Sequence, residues 1–196
     1  MLRRFLRVEL TMHKFSPDKA SILEDEKRYV LLQPEKTLRQ FGLQKGMTFV
    51  DIGAGTGFFS RAASNIVGEQ GTVFAADISS EMLDAFRRVS VPNNVQLLQS
   101  KEYEVSIPSA QADLVLFAFV LHESEDIPRF LQEAIRLMKP DGRIAIIEWK
   151  KQEEELGPSM KERLSKNELL SHCKGFTLLS SANLNPSHYS CILQVD

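Results

Sequence analysis

Thr48-Phe-Val-Asp-Ile52 runs straight into Gly53-Ala-Gly55-Thr-Gly57 and then into the helical pattern Phe58 to Val67. The first five residues are apolar enough to form a strand buried on both faces, as in a parallel sheet covered by helices. Gly68 closes the helix, Gly71 sits in the following turn, and Thr72 to Asp77 reads as a second strand. Strand, glycine turn, helix and strand make one βαβ unit. At such a turn, backbone N–H groups and the helix dipole can hold an anionic or polar ligand group, and glycine lets the ligand approach the backbone. Asp77 ends the second strand twenty residues beyond Gly57. There a carboxylate can accept hydrogen bonds from the two hydroxyls of a ribose.

Working outward, short β-branched runs keep alternating with amphipathic runs, so the fold class is α/β. Pro34 opens a helix to about Phe41. Ser79 or Ser80 caps another that runs to about Ser90, with Glu81 and Asp84 placed where the dipole favours them. Val95 to Leu98 and Ala112 to Phe119 are the third and fourth strands, and Ile127 to Met138 is an amphipathic helix. A Lys-Pro-Asp-Gly turn precedes the fifth strand, Arg143 to Trp149, and Ser165-x-x-Glu168 is a capping box. Phe176 to Leu184 and His188 to Val195 are joined by a short Asn-Pro-Ser turn, which makes them an antiparallel hairpin. The expected organisation is an N-terminal extension and helical arm or lid over 1–34, followed by a ligand-binding domain over 35–196.

Composition narrows the partners. The 196 residues are 43% apolar and 26% charged, which fits one ordinary domain and excludes a disordered chain. A net charge of −2 supplies no field for coating nucleic acid and favours a small-molecule partner. The longest apolar run, Leu114 to Leu121, has eight residues, whereas a membrane-spanning helix needs about 20. Cys173 and Cys191 show neither C-x-x-C nor metal spacing, so no metal site is expected, both thiols should be free, and a cytoplasmic location is natural.

The dinucleotide fingerprint wants a small residue at its sixth position, where this chain has Phe58, and no G-K-[ST] is present for a phosphate-binding loop. What remains is G-x-G-x-G with an acidic residue two places before it. With Phe49-Val-Asp-Ile-Gly-Ala-Gly-Thr-Gly57, Asp77-Ile-Ser-Ser-Glu-Met-Leu83, Ala112-Asp-Leu-Val-Leu116, Val120-Leu-His122 and Leu137-Met-Lys-Pro-Asp-Gly-Arg143, the chain resembles a class I S-adenosylmethionine-dependent methyltransferase. It is most similar to the small-molecule branch that includes ubiquinone/menaquinone C-methyltransferases. The resemblance covers nearly all of 35–196. It implies a Rossmann-like, seven-stranded, mostly parallel sheet of order 3-2-1-4-5-7-6 with only strand 7 antiparallel, and S-adenosyl-L-methionine as cofactor with S-adenosyl-L-homocysteine as product.

On the same resemblance, Gly53, Ala54, Gly55 and Gly57 line the methionine moiety, with Asp51 near its ammonium group. Asp77 takes the ribose, Ile78 and Met82 flank the adenine, and Phe117 is a further cofactor-binding candidate. Glu102 is the candidate for the adenine amino group, one place out of the family's register.

The site of a parallel sheet lies at the carboxyl ends of its strands. That edge should gather His122, Glu123, Glu148, Trp149, Lys150, His188 and Tyr189 around one mouth. His122 is the preferred catalytic base, since an imidazole titrates near neutrality, and Glu148 is the alternative carboxylate. Residues 150 to 163 read either as a substrate-recognition loop or as a solvated charge run. Several substrate classes recede: no Asn/Asp-Pro-Pro-aromatic motif follows the fourth strand, and no loop cysteine is placed for attack on cytosine. The expected activity is methyl transfer to a carbon, oxygen or sulfur of a small-molecule acceptor. The competing readings are a nicotinamide-dependent oxidoreductase and a non-catalytic cofactor-binding or partner-regulating protein on the same fold. Oligomeric state is not legible.

Overall fold

A computed structural model describes residues 26–196. The proposed extension and the greater part of the arm, 1–25, lie outside the described residues. Helix α1 (Glu26–Leu32) buries only Leu32 of its seven residues, and α2 (Pro34–Gln40) follows it with proline in the first turn. The remaining elements are β1 (Thr48–Ile52), α3 (Phe58–Val67), β2 (Thr72–Asp77), α4 (Ser80–Val89), β3 (Val95–Gln99), β4 (Ala112–Ala118), α5 (Ile127–Leu137), β5 (Met138–Trp149), α6 (Lys166–His172), β6 (Phe176–Asn183) and β7 (His188–Val195).

The seven strands stand in the order β3-β2-β1-β4-β5-β7-β6. Neighbours are parallel except where β7 runs antiparallel between β5 and β6. This is the class I methyltransferase topology that the resemblance implied, and its antiparallel hairpin is the one legible at Asn185-Pro-Ser187.

Alternation along the strands sorts the core into two layers. Phe49, Val73, Leu114, Leu116, Ala145, Ile147 and Ile192 face α1 to α4, whereas Ile52, Val115, Phe117, Ile146, Tyr189 and Cys191 face α5 and α6. Helix α5 shows why it docks: Ile127, Phe130, Leu131, Ala134 and Leu137 recur at helical spacing on one buried stripe. Each of the larger ones contributes about 1.5–3 kcal/mol by leaving water. Cys173 and Cys191 are free and buried.

Three helix starts carry side-chain caps, from Ser79 on α4, Asp126 on α5 and Ser165 on α6, the last as the full capping box with Glu168. At α3 the capping position is Gly57, left-handed at φ 84° and without a side chain to donate to.

The Lys-Pro-Asp-Gly turn does not precede β5 but lies within it. Ala112 pairs with Met138 while Leu114 pairs with Arg143, so 139–142 form an excursion opposite Asp113. Asp113 holds it in place, accepting Lys139 Nζ at 2.8 and 2.7 Å on its two oxygens and Thr48 N–H at 2.8 Å. Edge strand β6 is exposed along every residue after Phe176.

Candidate functional site

The glycine turn is braced before any ligand arrives. Gly53 N–H and Ala54 N–H both donate to Ala76 O at 2.8 and 3.0 Å, and Gly57 N–H donates to Ala54 O. Gly55 N–H donates to Asp77 Oδ2 at 2.8 Å, and Ser79 N–H to Asp77 Oδ1 at 2.9 Å. The turn's amides are therefore largely spent on its own shape. What it offers a ligand is close approach to the backbone and a helix end without a side-chain cap. At Gly57 the demand is internal as well, since a Cβ there would lie 2.2 Å from the Phe86 ring. At Gly53 a Cβ would lie 2.4 Å from Val120, so β1 and the segment after β4 interlock at this point.

Asp51 and Asp77 lie on the α3 side of the sheet. Asp51 is buried and accepts the Ser60 hydroxyl at 2.6 Å. Burial raises its carboxyl to about 7, the Asp77 charge adds to this, and the Ser60 hydrogen bond and Arg28 oppose it. A buried acid so poised suits a cationic group such as an ammonium. Asp77 is held by two backbone donors at the carboxyl end of β2. Ile78 is exposed beside it, and Met82 is buried in the first turn of α4. Glu102 lies in the turn after β3, half-buried. Phe117 stands apart from these, wholly buried under α5 and edge-on to Phe130 at 5.6 Å. The turn, Asp51 and Asp77 together fit a nucleoside cofactor bearing an ammonium group.

The expected single mouth is divided by the sheet. On the α5–α6 side, Glu148 is wholly buried and its Oε2 meets His122 Nδ1 at 2.8 Å. His122 N–H donates to Oε1 at 3.1 Å and Trp149 N–H to Oε2 at 3.3 Å. Burial pulls the His122 imidazole down, but the Glu148 hydrogen bond and charge, with Glu123 and Glu162, leave it raised overall. Tyr189 shares this side and donates to Leu164 O at 2.8 Å, with its hydroxyl pushed far up by burial. A polar cleft of about 290 Å³ opens here between His122, Lys151, Glu162, Arg163 and Glu168, and no glycine-turn residue lines it.

On the α1–α4 side, His188, Trp149 and Phe119 form an aromatic cluster. His188 lies 4.3 Å from Trp149 and 4.9 Å from Phe119, and Phe119 lies 5.6 Å from Trp149. Phe119 has φ 63°, a left-handed backbone that costs an aromatic residue about 1–3 kcal/mol. Such strain persists only where the surroundings impose it, and Phe119 N–H is fixed to Ile147 O at 2.9 Å. The Arg28 guanidinium of α1 lies 4.3 Å from the Phe58 ring and 5.9 Å from that of Phe119, joining the glycine turn to this cluster. Period-two alternation carries the signal for the split, because adjacent strand residues such as Glu148 and Trp149, or His188 and Tyr189, face opposite ways.

Two organising residues escaped the sequence reading. Arg163 is almost fully buried and donates to Pro158 O, Lys150 O, Leu156 O and Glu154 Oε2 at 2.6–3.1 Å. Its guanidinium also stacks 4.9 Å from Trp149. The 150–163 segment is thus wrapped around one side chain. Asn185 accepts Ser187 N–H and His188 N–H on Oδ1 and donates to Leu31 O at 3.2 Å, tying the hairpin turn to α1. Among the described residues no three His, Cys, Asp or Glu are grouped to hold a metal, and no helix is long and apolar enough to cross a membrane.

Comparison with known proteins adds to this geometry. Residues 50–146 match a family model, Methyltransferase domain. A SAM-dependent methyltransferase from Aquifex aeolicus is 33% identical, with 93% of this chain and 100% of that one covered at a TM-score of 0.88. A type 11 methyltransferase from Sulfolobus solfataricus, named as putative, is 26% identical over 85% of this chain and 94% of its own, at 0.72. The ubiquinone/menaquinone biosynthesis C-methyltransferase UbiE of Haemophilus ducreyi is 35% identical over 114 residues, 56% of this chain and 44% of that protein. The chain thus spans less than half the length of that curated relative.

Proposed function

The chain belongs to the S-adenosylmethionine-dependent methyltransferases, and on that premise we propose that it transfers a methyl group to a carbon, oxygen or sulfur of a small-molecule acceptor. The observation that carries this reading is Asp77, fixed by Gly55 and Ser79 N–H groups at the edge of the glycine turn. When bound, the cofactor supplies an already activated sulfonium methyl for in-line displacement, so the protein's task is alignment and exclusion of water, worth on the order of 7–11 kcal/mol at best.

Asp77 accepts the ribose hydroxyls and Asp51 meets the ammonium group, which draws the buried carboxyl into its charged form. Ile78 and Met82 flank the adenine, and Glu102 accepts from its amino group. Gly53, Ala54, Gly55 and Gly57 allow the methionine portion to lie against the backbone.

His122 and Glu148 act as a positioning pair. Glu148 takes both the backbone N–H and the Nδ1–H of His122, and so fixes the segment whose Val120 packs on Gly53. His122→Gln should therefore lower stability while leaving the pH profile of turnover in place; loss of one limb of that profile would make His122 the base instead. Helix α1 acts as part of a lid, with Arg28 as its contact to both Phe58 and Phe119.

Thermal unfolding with S-adenosylmethionine, S-adenosylhomocysteine, NAD⁺ and NADPH tests the reading. At about 100 times its dissociation constant a ligand adds about 2.7 kcal/mol, a rise of roughly 5–10 °C for this size. A rise with the two sulfur nucleosides alone supports it, and a rise only with the nicotinamides overturns it.

A further inference from the structure

His188 is 2% exposed, and neither ring nitrogen has a hydrogen-bond partner. Buried polar atoms are nearly always paired, and leaving one unpaired is costly, so an orphan of this kind calls for a ligand. Its surroundings do not supply one. Trp149 and Phe119 present rings, and the nearby cations are engaged elsewhere: Arg163 with Glu154 and three carbonyls, Lys150 with Asn185 O, and Arg28 against Phe58.

The burial that orphans the imidazole also lowers it to about 4, with Arg28, Arg163 and Lys150 acting in the same sense against Glu154. At neutral pH the ring is uncharged, with one N–H to donate and one lone pair to accept. An uncharged hydroxyl matches it, since it can accept from the ring N–H or donate to the bare ring nitrogen.

Position links this histidine to the transfer site. Phe119 is one residue from Val120, which packs on Gly53, and Arg28 spans Phe119 and Phe58. Helix α1 reaches the cluster through Arg28, 5.9 Å from the Phe119 ring. It has seven residues, one of them buried, and Asn185 joins its Leu31 carbonyl to the same turn that presents His188.

Resting on the reading above, we propose that His188 is the specificity-determining residue of the acceptor subsite, hydrogen-bonding through its ring an uncharged hydroxyl on an otherwise apolar acceptor held by Phe119 and Trp149. The acceptor reaches it when α1 lifts. His188→Phe then keeps the ring and removes the polar recognition.

The probes are p-cresol and p-xylene, which differ by a hydroxyl in place of a methyl. Binding is followed by emission of Trp149, the chain's one tryptophan, 4.3 Å from His188. Wild type should favour p-cresol by about tenfold and His188→Phe should bind the two equally. An unchanged ratio in the variant, or no response of Trp149 to either probe, overturns the proposal. Should the variant not fold, the imidazole nitrogen resonances of wild-type His188 decide: they should move with p-cresol and stay with p-xylene, and no movement overturns it. Midpoint shifts with S-adenosylhomocysteine, measured on the same samples, keep the two readings apart. A failed shift with an intact cresol preference counts against the cofactor assignment, while an intact shift without that preference counts against His188.

Discussion

The two sides of the sheet's carboxyl edge are finished differently. Toward α5 and α6, Glu148 accepts from the His122 ring and from two backbone N–H groups, Tyr189 has Leu164 O, and Glu133 accepts Val105 N–H at 2.8 Å and is bracketed by Arg136. Toward α1 to α4 lie a strained Phe119, a partnerless His188, a helix start without a side-chain cap and a buried acid raised to about 7. Satisfied polar groups hold a fold together; unsatisfied ones and strain persist where a ligand completes the structure. On the proposed reading, the first side is framework and the second is site.

The most direct way to break this contrast is Asp77→Ala. It removes the proposed acceptor of ribose and the anchor of Gly55 and Ser79, so affinity for S-adenosylhomocysteine should fall at least about a hundredfold by titration calorimetry. Glu148→Ala should leave that affinity within a few-fold but remove about 3 kcal/mol of stability, a drop of roughly 6–12 °C in midpoint. If Glu148→Ala harms cofactor binding as much as Asp77→Ala does, the division into framework and site fails.

The two histidines sharpen the contrast through opposite signs. His122 is raised on folding, so its contribution is complete below about pH 6.5 and drains away as pH rises through its folded value. His188 is lowered to about 4, so stability is lost as pH falls from about 6.5 toward 4. Denaturant melts of wild type, His122→Gln and His188→Phe should show the acid loss vanish only in the last. The smallest effect concerns Asp51: near pH 6, cofactor binding should release up to one proton, read from the binding heat in two buffers of different ionisation enthalpy. Equal heats would detach Asp51 from the ammonium group.

Much of the framework was legible because it is periodic. The βαβ unit, the capping box at Ser165 and the hairpin all rest on spacing or on local cap chemistry, and each stands where the pattern placed it. The Lys-Pro-Asp-Gly turn was legible as a turn but not as an excursion within β5, since Asp113 opposite it decides that. The site was half legible. Asp77 follows from its place at a strand end. The orphaning of His188 depends on the Phe119 and Trp149 rings, and the role of Arg163 depends on loop carbonyls that leave no pattern in the sequence. Gathering Glu148, Trp149, His188 and Tyr189 at one mouth overlooked alternation along β5 and β7.

Arg163 has a consequence for how this chain tolerates change. It closes a loop of chain from Lys150 non-covalently, and the entropy of such closure grows only with the logarithm of length, about 0.6 kcal/mol per doubling. Extra residues between Lys151 and Glu153, a stretch that lies between the guanidinium's acceptors at Lys150 and Glu154, should cost little. Arg163→Lys, for all its likeness in charge, cannot serve four acceptors at Lys150, Glu154, Leu156 and Pro158 with one ammonium. The segment is therefore forgiving of length and unforgiving of that one side chain.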